Sequence, residues 1–185
     1  MLKPRSRCWG EDSGRVEDTT AGLIELCQDF IKSHMVGVEI GSFRGASGEV
    51  FSHFCKHITC VDGWELSQDE RGYAELTRDR LMEAEKEFDV MLAGRDNITK
   101  MKMVSDQAAS SFADASLDFV YIDGAHDPIN VELDIITWAP KLNVGGFLLG
   151  HDHDKIVEVI DKLRIKVVKV YSDTSWASWP KGVRE

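Results

Sequence analysis

Acidic and imidazole side chains follow the ends of several apolar runs in this chain of 185 residues. If these runs are parallel strands of an open sheet, their carboxyl ends meet at one edge, beyond which ligands bind. Carboxylates there accept hydrogen bonds from hydroxyl and amino groups, and an imidazole with a pKa near its usual value of about 6.5 takes up a proton at neutral pH. Turn chemistry explains one such residue, but a succession of them predicts a polar ligand site. The residues are Glu39, Asp62, Asp106, Asp123 and the pair His151-Asp152.

The glycine-containing stretch 36–47 is the residue pattern most suggestive of a binding turn. An apolar run containing Glu39 is interrupted by Gly41 and Gly45, and a helical pattern follows. This order predicts a buried strand, a tight turn and a helix start. The glycines fall where the backbone must turn sharply and a ligand approaches closely. Phe43 stands where a dinucleotide-binding turn requires its second glycine, and the Gly-Lys-Ser/Thr of a phosphate-binding loop is missing.

A second short β-rich run ends at Asp62-Gly63-Trp64. Asp62 follows Gly41 by 21 residues, close to the offset at which nucleoside-binding sheets place a carboxylate on the ribose. Its two oxygens can accept hydrogen bonds from both vicinal hydroxyls. A surface Asp-Gly turn is the alternative for Asp62. Trp64 either lies beside the base of a nucleoside or anchors its own loop.

His126 comes three residues after Asp123, on the turn behind the fourth predicted strand. A neutral imidazole at that point can accept the proton of a nucleophilic hydroxyl group at neutral pH. The alternative is a structural histidine that bonds the turn after the next strand.

Strands and helices alternate along the chain, which predicts an α/β fold with a mainly parallel sheet covered on both faces. Residues 1–18 are polar and show no period, so they are predicted to form a flexible N-terminal arm, and residues 19–185 are predicted to form a single domain. The first helix has its apolar stripe within 23–31, with Thr19 or Thr20 as its cap. The predicted strands are 36–41, 58–62, 98–104, 117–122, 147–150, 165–171 and a last one around 176–179. The predicted further helices are 48–54, 73–92, 108–112, 128–138 and 155–162.

Composition argues against several classes of function. A formal net charge of −10 disfavours a nucleic-acid backbone or an anionic membrane as the main partner. No apolar run reaches the roughly 18 residues of a transmembrane helix, and the N-terminus lacks the apolar segment of a secretory signal. Cys27, Cys55 and Cys60 lie in apolar periodic segments without any Cys-x-x-Cys pair. This favours reduced core cysteines in a cytoplasmic protein over zinc or disulfides.

These motifs together resemble those of the class I S-adenosylmethionine-dependent methyltransferases. Glu39-x-Gly41-x-x-x-Gly45 is similar to their first motif, which binds a cofactor with an amino-acid tail and no phosphate. Later segments resemble a small-molecule O-methyltransferase subgroup with macrocin O-methyltransferase-like and cephalosporin-hydroxylase-like enzymes. These segments are 122–126 (Ile-Asp-Gly-Ala-His), 138–142 (Trp-Ala-Pro-Lys-Leu), Gly145-Gly146 and His151-Asp152.

The resemblance covers about residues 20–172 and implies both a fold and a set of cofactor contacts. The fold is a Rossmann-like, doubly wound, mainly parallel seven-stranded sheet with an antiparallel C-terminal strand. S-adenosylmethionine would be the cofactor, with Glu39 holding its methionine amino group through the turn and Asp62 its ribose. Asp106 would bind the adenine amino group, although a helix N-cap explains Asp106 equally well. The full set of expected cofactor-binding residues is Glu39, Gly41, Ser42, Gly45, Asp62, Gly63, Trp64, Ser105, Asp106 and Asp123.

Metal-dependent members of this family hold Mg²⁺ between an acidic residue after strand 4 and two adjacent groups after strand 5. The ion binds the acceptor hydroxyls and lowers their pKa. By position, Asp123 and Asp152 would be ligands, with His151 or His153 beside them. A histidine departs from this pattern, because a hard cation prefers oxygen ligands. Mg²⁺, Mn²⁺, Fe²⁺ and no metal therefore all stay open.

The sequence thus predicts a methyltransferase acting on a hydroxyl of a small molecule, with His126 and Asp123 as catalytic residues. Since fold does not fix chemistry, two alternatives stay open: a metal-dependent hydroxylase-like enzyme and a non-catalytic partner that binds S-adenosylmethionine. We expect a small-molecule acceptor and neither nucleic acid nor a membrane as partner. Trp176 and Trp179 could mark an apolar edge of a homo-oligomer.

Overall fold

The computed structural model describes residue 3 and residues 20–64, 77–124 and 127–182. The predicted arm, apart from residue 3, therefore lies outside the described residues, as do residues 65–76, which include the predicted start of the helix 73–92, and His126. The strands are β1 (Val36–Ile40), β2 (His57–Asp62), β3 (Ile98–Lys102), β4 (Leu117–Ile122), β5 (Leu142–Gly150), β6 (Val167–Val170) and β7 (Trp176–Ser178). The helices are α1 (Ala21–Phe30), α2 (Ala46–Ser52), α3 (Arg78–Leu92), α4 (Ser105–Ala109), α5 (Pro128–Trp138) and α6 (His153–Lys162).

The strands described here form one sheet in the order β3-β2-β1-β4-β5-β7-β6. Strands β1 to β5 pair in parallel, whereas β7 runs antiparallel to both β5 and β6. The Rossmann-like, mainly parallel seven-stranded sheet with an antiparallel C-terminal strand is therefore confirmed. The chain order reverses between β1 and β4, and such a switch point is where open α/β sheets bind ligands.

Each face of the sheet carries its own apolar core, as expected for strands covered on both sides. The first core packs α1, α2 and α3 against the sheet through residues such as Leu26, Phe51 and Phe88. The second packs α4, α5 and α6 through residues such as Ala108 and Trp138. None of the helices in the described ranges combines the length and the apolar character that a membrane span requires.

Several element bounds differ from the sequence expectation for local reasons. Strand β5 begins at Leu142 and not at residue 147, because the Gly145-Gly146 pair lies inside the strand, where its register with β4 shifts. Helix α3 begins at Arg78, since Thr77 is extended and its side chain accepts a hydrogen bond from the Arg80 amide. Helix α6 begins two residues earlier than expected, at His153.

The N-terminus of α1 is capped through the tertiary structure. Thr20 occupies the N-cap position, but its side chain makes no capping hydrogen bond. Instead the fully buried Asp173, between β6 and β7, accepts a hydrogen bond from the Leu23 amide at 2.8 Å. Its other oxygen accepts one from the Ser175 amide at 3.0 Å. One carboxylate therefore joins α1 to the C-terminal hairpin.

We predict that Asp173→Ala lowers the free energy of unfolding by about 2–3 kcal/mol, because the buried Leu23 amide loses its acceptor. Urea denaturation measures the change. Asp114→Ala is the control, since the exposed Asp114 pairs with Lys141 and exposed pairs contribute little. Equal losses in the two variants would contradict the capping role.

Candidate functional site

Backbone hydrogen bonds align the carboxyl ends of four strands at one edge of the sheet. The Gly41 amide donates to the Val61 carbonyl at 2.8 Å, and the Asp123 amide donates to the Ile40 carbonyl at 2.9 Å. The His151 amide donates to the Ile122 carbonyl at 3.0 Å. The polar residues that follow β1, β2, β4 and β5 are therefore neighbours in space, as their positions in the sequence predicted.

The turn after β1 requires glycine because it packs tightly against the chain. Gly41 has φ +88°, and a Cβ there would lie 2.3 Å from the Asp123 carbonyl oxygen. Gly45 has φ +82°, and its Cβ would lie 2.4 Å from the Met91 methyl group. The close approach at Gly41 is thus made by the β4 turn itself, which brings the β1 and β4 ends together.

Glu39 is fully buried beneath this turn. Its Oε2 lies 3.1 Å from the position that a Cβ on Gly48 would take, so the carboxyl faces the start of α2. Burial raises the pKa of Glu39 to about 7, and the hydroxyls of Ser47 and Ser42 partly offset this rise. Among the described residues, however, neither Glu39 oxygen nor Ser42 Oγ has a hydrogen bond of good geometry. Glu39 therefore has two unused acceptor oxygens beside the start of α2.

Asp62 joins the turn after β1 to the turn after β2. Its Oδ2 accepts a hydrogen bond from the Phe43 amide at 2.8 Å, and its Oδ1 accepts one from the Trp64 amide at 2.8 Å. Burial raises the pKa of this carboxyl, and the two amides act in the opposite direction. Each oxygen keeps a lone pair for a further donor, so the half-buried Asp62 can still receive a pair of hydroxyls.

Trp64, which follows Gly63, anchors its loop. The side chain is 3% exposed, and its Nε1–H donates to the Phe43 carbonyl at 2.7 Å. Its ring meets Phe88 edge-on with the centroids 5.0 Å apart, and the Lys100 ammonium lies 4.9 Å from the ring centroid. Of the two roles considered for Trp64, the geometry favours the anchor.

The three predicted metal ligands form a cluster centred on an imidazole. His151 Nδ1 lies 3.4 Å from an oxygen of Asp123 and 3.4 Å from an oxygen of Asp152. His151 Nε2 lies 3.3 Å from Thr174 Oγ1, and the Lys155 ammonium donates to Asp152 at 2.9 Å. Asp152 itself has φ +54°, a left-handed conformation that is costly for a residue with a Cβ.

These contacts give no support to a divalent ion, which the sequence leaves open. The imidazole and an ammonium group both lie against Oδ1 of Asp152, one of the oxygens that a metal would need. In the part of the chain that the structure describes, no group of three or more His, Cys, Asp or Glu side chains is arranged to hold a metal. The cluster is instead a set of polar groups at the ends of β4 and β5.

Ser105 and Asp106 follow β3 as predicted, but they face different surroundings. Asp106 is exposed, lies in the first turn of α4 and accepts the Gln107 amide at 2.7 Å. The N-cap of α4 is Val104, so Asp106 does not cap the helix. Ser105 Oγ donates to Asp134 Oδ1 and accepts the Trp138 indole N–H at 2.8 Å.

Asp134 is a buried acidic residue that the sequence reasoning missed. It is 8% exposed, and burial raises its pKa to about 6, with the Ser105 hydrogen bond acting in the opposite direction. Its position in the sequence carried a signal, because Val131, Asp134, Ile135 and Trp138 share one buried face of α5. A carboxylate on the apolar face of a helix is rare without a partner.

Comparison with known proteins identifies the family. A family model described as a methyltransferase domain matches residues 38–153. The chain belongs to this methyltransferase family. The matched span runs from β1 to the start of α6 and so includes all the strand ends described above. No curated protein is similar enough to count as a relative of this methyltransferase.

Solved structures share the fold of this methyltransferase at low sequence identity. The N-methyltransferase NodS from Bradyrhizobium japonicum, in complex with S-adenosylhomocysteine, is 16% identical with a TM-score of 0.62, covering 95% of this chain and 92% of NodS. A methyltransferase from Geobacter sulfurreducens is 13% identical with a TM-score of 0.58, covering 86% and 77%. Precorrin 8W decarboxylase from Methanobacterium thermoautotrophicum is 15% identical with a TM-score of 0.60, covering 88% and 90%.

We predict that Glu39→Gln changes how stability depends on pH. A carboxyl whose pKa is raised on folding stabilises the native state fully below its unfolded value of about 4.5 and loses this effect as the pH rises through about 7. The variant should therefore gain about 3 kcal/mol relative to wild type between pH 4.5 and pH 8. Urea denaturation at both pH values measures the gain.

Glu25→Gln, on the exposed side of α1, controls for the loss of one carboxylate. A constant stability difference between wild type and Glu39→Gln at the two pH values would disprove the raised pKa.

Proposed function

We propose that this methyltransferase uses S-adenosylmethionine and transfers the methyl group to a hydroxyl of a small molecule. One observation carries the cofactor assignment: Asp62, at the end of β2, is hydrogen-bonded to the amide of Phe43 in the glycine turn. A carboxylate held beside such a turn suits the ribose hydroxyls of a nucleoside. Phe43 leaves no glycine where a pyrophosphate would approach. NodS, with the same fold, was solved with S-adenosylhomocysteine, which supports the proposal.

In this proposal the cofactor-binding groups lie at the carboxyl ends of the strands. Gly41, Ser42 and Gly45 form the turn beneath the methionine tail, and Glu39 acts on that tail through the turn. Asp62 holds the ribose, and Asp106 keeps an oxygen that can face the adenine. These groups lie on a rigid sheet, so they can align the methyl group before the acceptor arrives.

Methyl transfer itself is an in-line displacement. The acceptor oxygen bonds to the methyl carbon while the carbon–sulfur bond breaks, its electron pair stays on sulfur, and S-adenosylhomocysteine leaves. The hydroxyl proton must pass to a base, and we assign that role to His126 because it follows Asp123 by three residues. Asp123 and His151 lie together at the ends of β4 and β5, where they can orient an acceptor hydroxyl.

The proposed reaction includes no metal ion. Oδ1 of Asp152 is already paired with Lys155 and His151, and the proposal assigns the acceptor proton to His126. This arrangement also gives no support to the hydroxylase-like alternative, which requires a metal.

Calorimetric titration tests the cofactor and the metal together. S-adenosylmethionine and S-adenosylhomocysteine are each expected to bind with a Kd that EDTA does not change. NADH is expected not to bind. A Kd that weakens, or a kcat that falls, with EDTA and recovers with Mg²⁺ would show that a metal takes part. Absence of binding by both sulfur nucleosides would reject the proposed function.

His126→Ala tests the base. We expect kcat to fall at least about 10²-fold, because the proton of the acceptor loses its receiver, while the Kd for S-adenosylhomocysteine stays unchanged. His57→Ala is the control, since His57 begins β2 at the opposite edge of the sheet and contacts Thr99. An unchanged kcat in the His126 variant would leave the protein without its assigned base and favour a non-catalytic binding partner.

A further inference from the structure

Asp134 ends a chain of hydrogen bonds that joins α5 to α4. The Trp138 indole N–H donates to Ser105 Oγ at 2.8 Å, and the Ser105 hydroxyl donates to Asp134 Oδ1. Since the hydroxyl has a single proton, its direction is fixed toward Asp134. One oxygen of the carboxylate is therefore held in place by the protein, and the orientation of the other follows from it.

The second oxygen, Oδ2, faces the edge of the sheet where β1 and β4 end. A Cβ built on Gly124 would lie 3.7 Å from Asp134 Oδ2, 3.8 Å from the Gly41 Cα and 3.4 Å from Ile40 Cγ2. These atoms surround one point, so Oδ2 borders the same space as the glycine turn. Of the two Asp134 oxygens, Oδ1 accepts the Ser105 hydroxyl, and none of the described residues donates a hydrogen bond to Oδ2.

The surroundings of Asp134 disfavour the charged form of its carboxyl group. Asp134 is more than nine-tenths buried, and Asp106 and Asp127 add negative charge nearby, which together with burial raises its pKa. Oδ2 of Asp134 is not among the fully enclosed, unsatisfied side-chain oxygens of the described residues, so a hydrogen-bond donor at this edge can reach it. Asn would bond Ser105 equally well without a charge, so the second oxygen points to a ligand that donates a hydrogen bond.

We propose that Asp134 Oδ2 accepts one N–H proton of the adenine 6-amino group, while Asp106 accepts the other. This inference rests on the proposed function, because it concerns the same cofactor site. The 6-amino group has two protons, and α4 and α5 each supply one carboxylate beside the pocket. Asp134 then selects adenine, because a 6-oxo base would place a lone pair against the carboxylate oxygen.

The test compares S-adenosylhomocysteine with its 6-oxo analogue, S-inosylhomocysteine, by calorimetry. Wild type is expected to prefer the adenine compound at least about 100-fold, as sites built for a donor reject analogues that lack it. Asp134→Asn keeps an oxygen for the Ser105 hydroxyl and turns an NH₂ group toward the base. The flipped amide is disfavoured because it would leave the Ser105 proton without an acceptor.

Asp134→Asn should therefore weaken binding of S-adenosylhomocysteine at least about tenfold and bind the 6-oxo analogue better than wild type does. Its Tm at pH 7.5 should equal or exceed that of wild type, since a buried charge is removed. Asp118→Asn is the matched control: this carboxylate bonds the Val36 amide and the Asn143 side chain at the other end of β4. It should lower Tm and leave the base preference intact.

Two outcomes would overturn the inference. One is an Asp134→Asn protein with wild-type affinity and preference. The other is a variant that loses Tm and affinity together while its preference for adenine persists, which would mark Asp134 as structural. Failure of wild type to bind S-adenosylhomocysteine would instead reject the proposed function, so the two failures are distinguishable.

Discussion

The close approach of β1 and β4 at their carboxyl ends is the constraint on which the site depends. Only glycine allows it, because a Cβ at Gly41 would collide with the Asp123 carbonyl oxygen. This contact lies at the switch point of the sheet, where the chain order reverses. It brings the glycine turn, Asp123 and Gly124 around one space, and the ends of β2 and β5 join that space through their own backbone bonds.

Around that space the methyltransferase keeps two carboxyls that oppose its stability. Burial raises the pKa of Glu39 to about 7 and that of Asp134 to about 6, so ionising either of them at neutral pH weakens the fold. Apolar side chains of similar size would pack there without this cost. Perturbed carboxyls of this kind gather at functional sites, which agrees with their position beside the glycine turn.

The polar residues at the strand ends and the fold were accessible from sequence, because both follow local patterns. Apolar runs alternating with helical periods predict a parallel sheet, and the carboxyl ends of parallel strands meet at one edge whatever the loops do. Glu39, Asp62, Asp123 and His151 were found in this way. Element bounds were less accurate where glycine lies inside a strand, as in β5, since a glycine pair equally suggests a turn.

Sequence by itself determined the α/β class, the glycine turn and the set of polar residues along the carboxyl edge of the sheet. Only the tertiary structure decided how those side chains pair: Trp64 packs on Phe88, His151 lies between two carboxylates, and Asp134 reaches the edge from α5 through Ser105. The physical reason is the separation along the chain over which each kind of information acts. Periodicity reports which face of an element is buried, whereas hydrogen-bond partners far apart in the chain depend on distances and angles that exist only after the elements have packed.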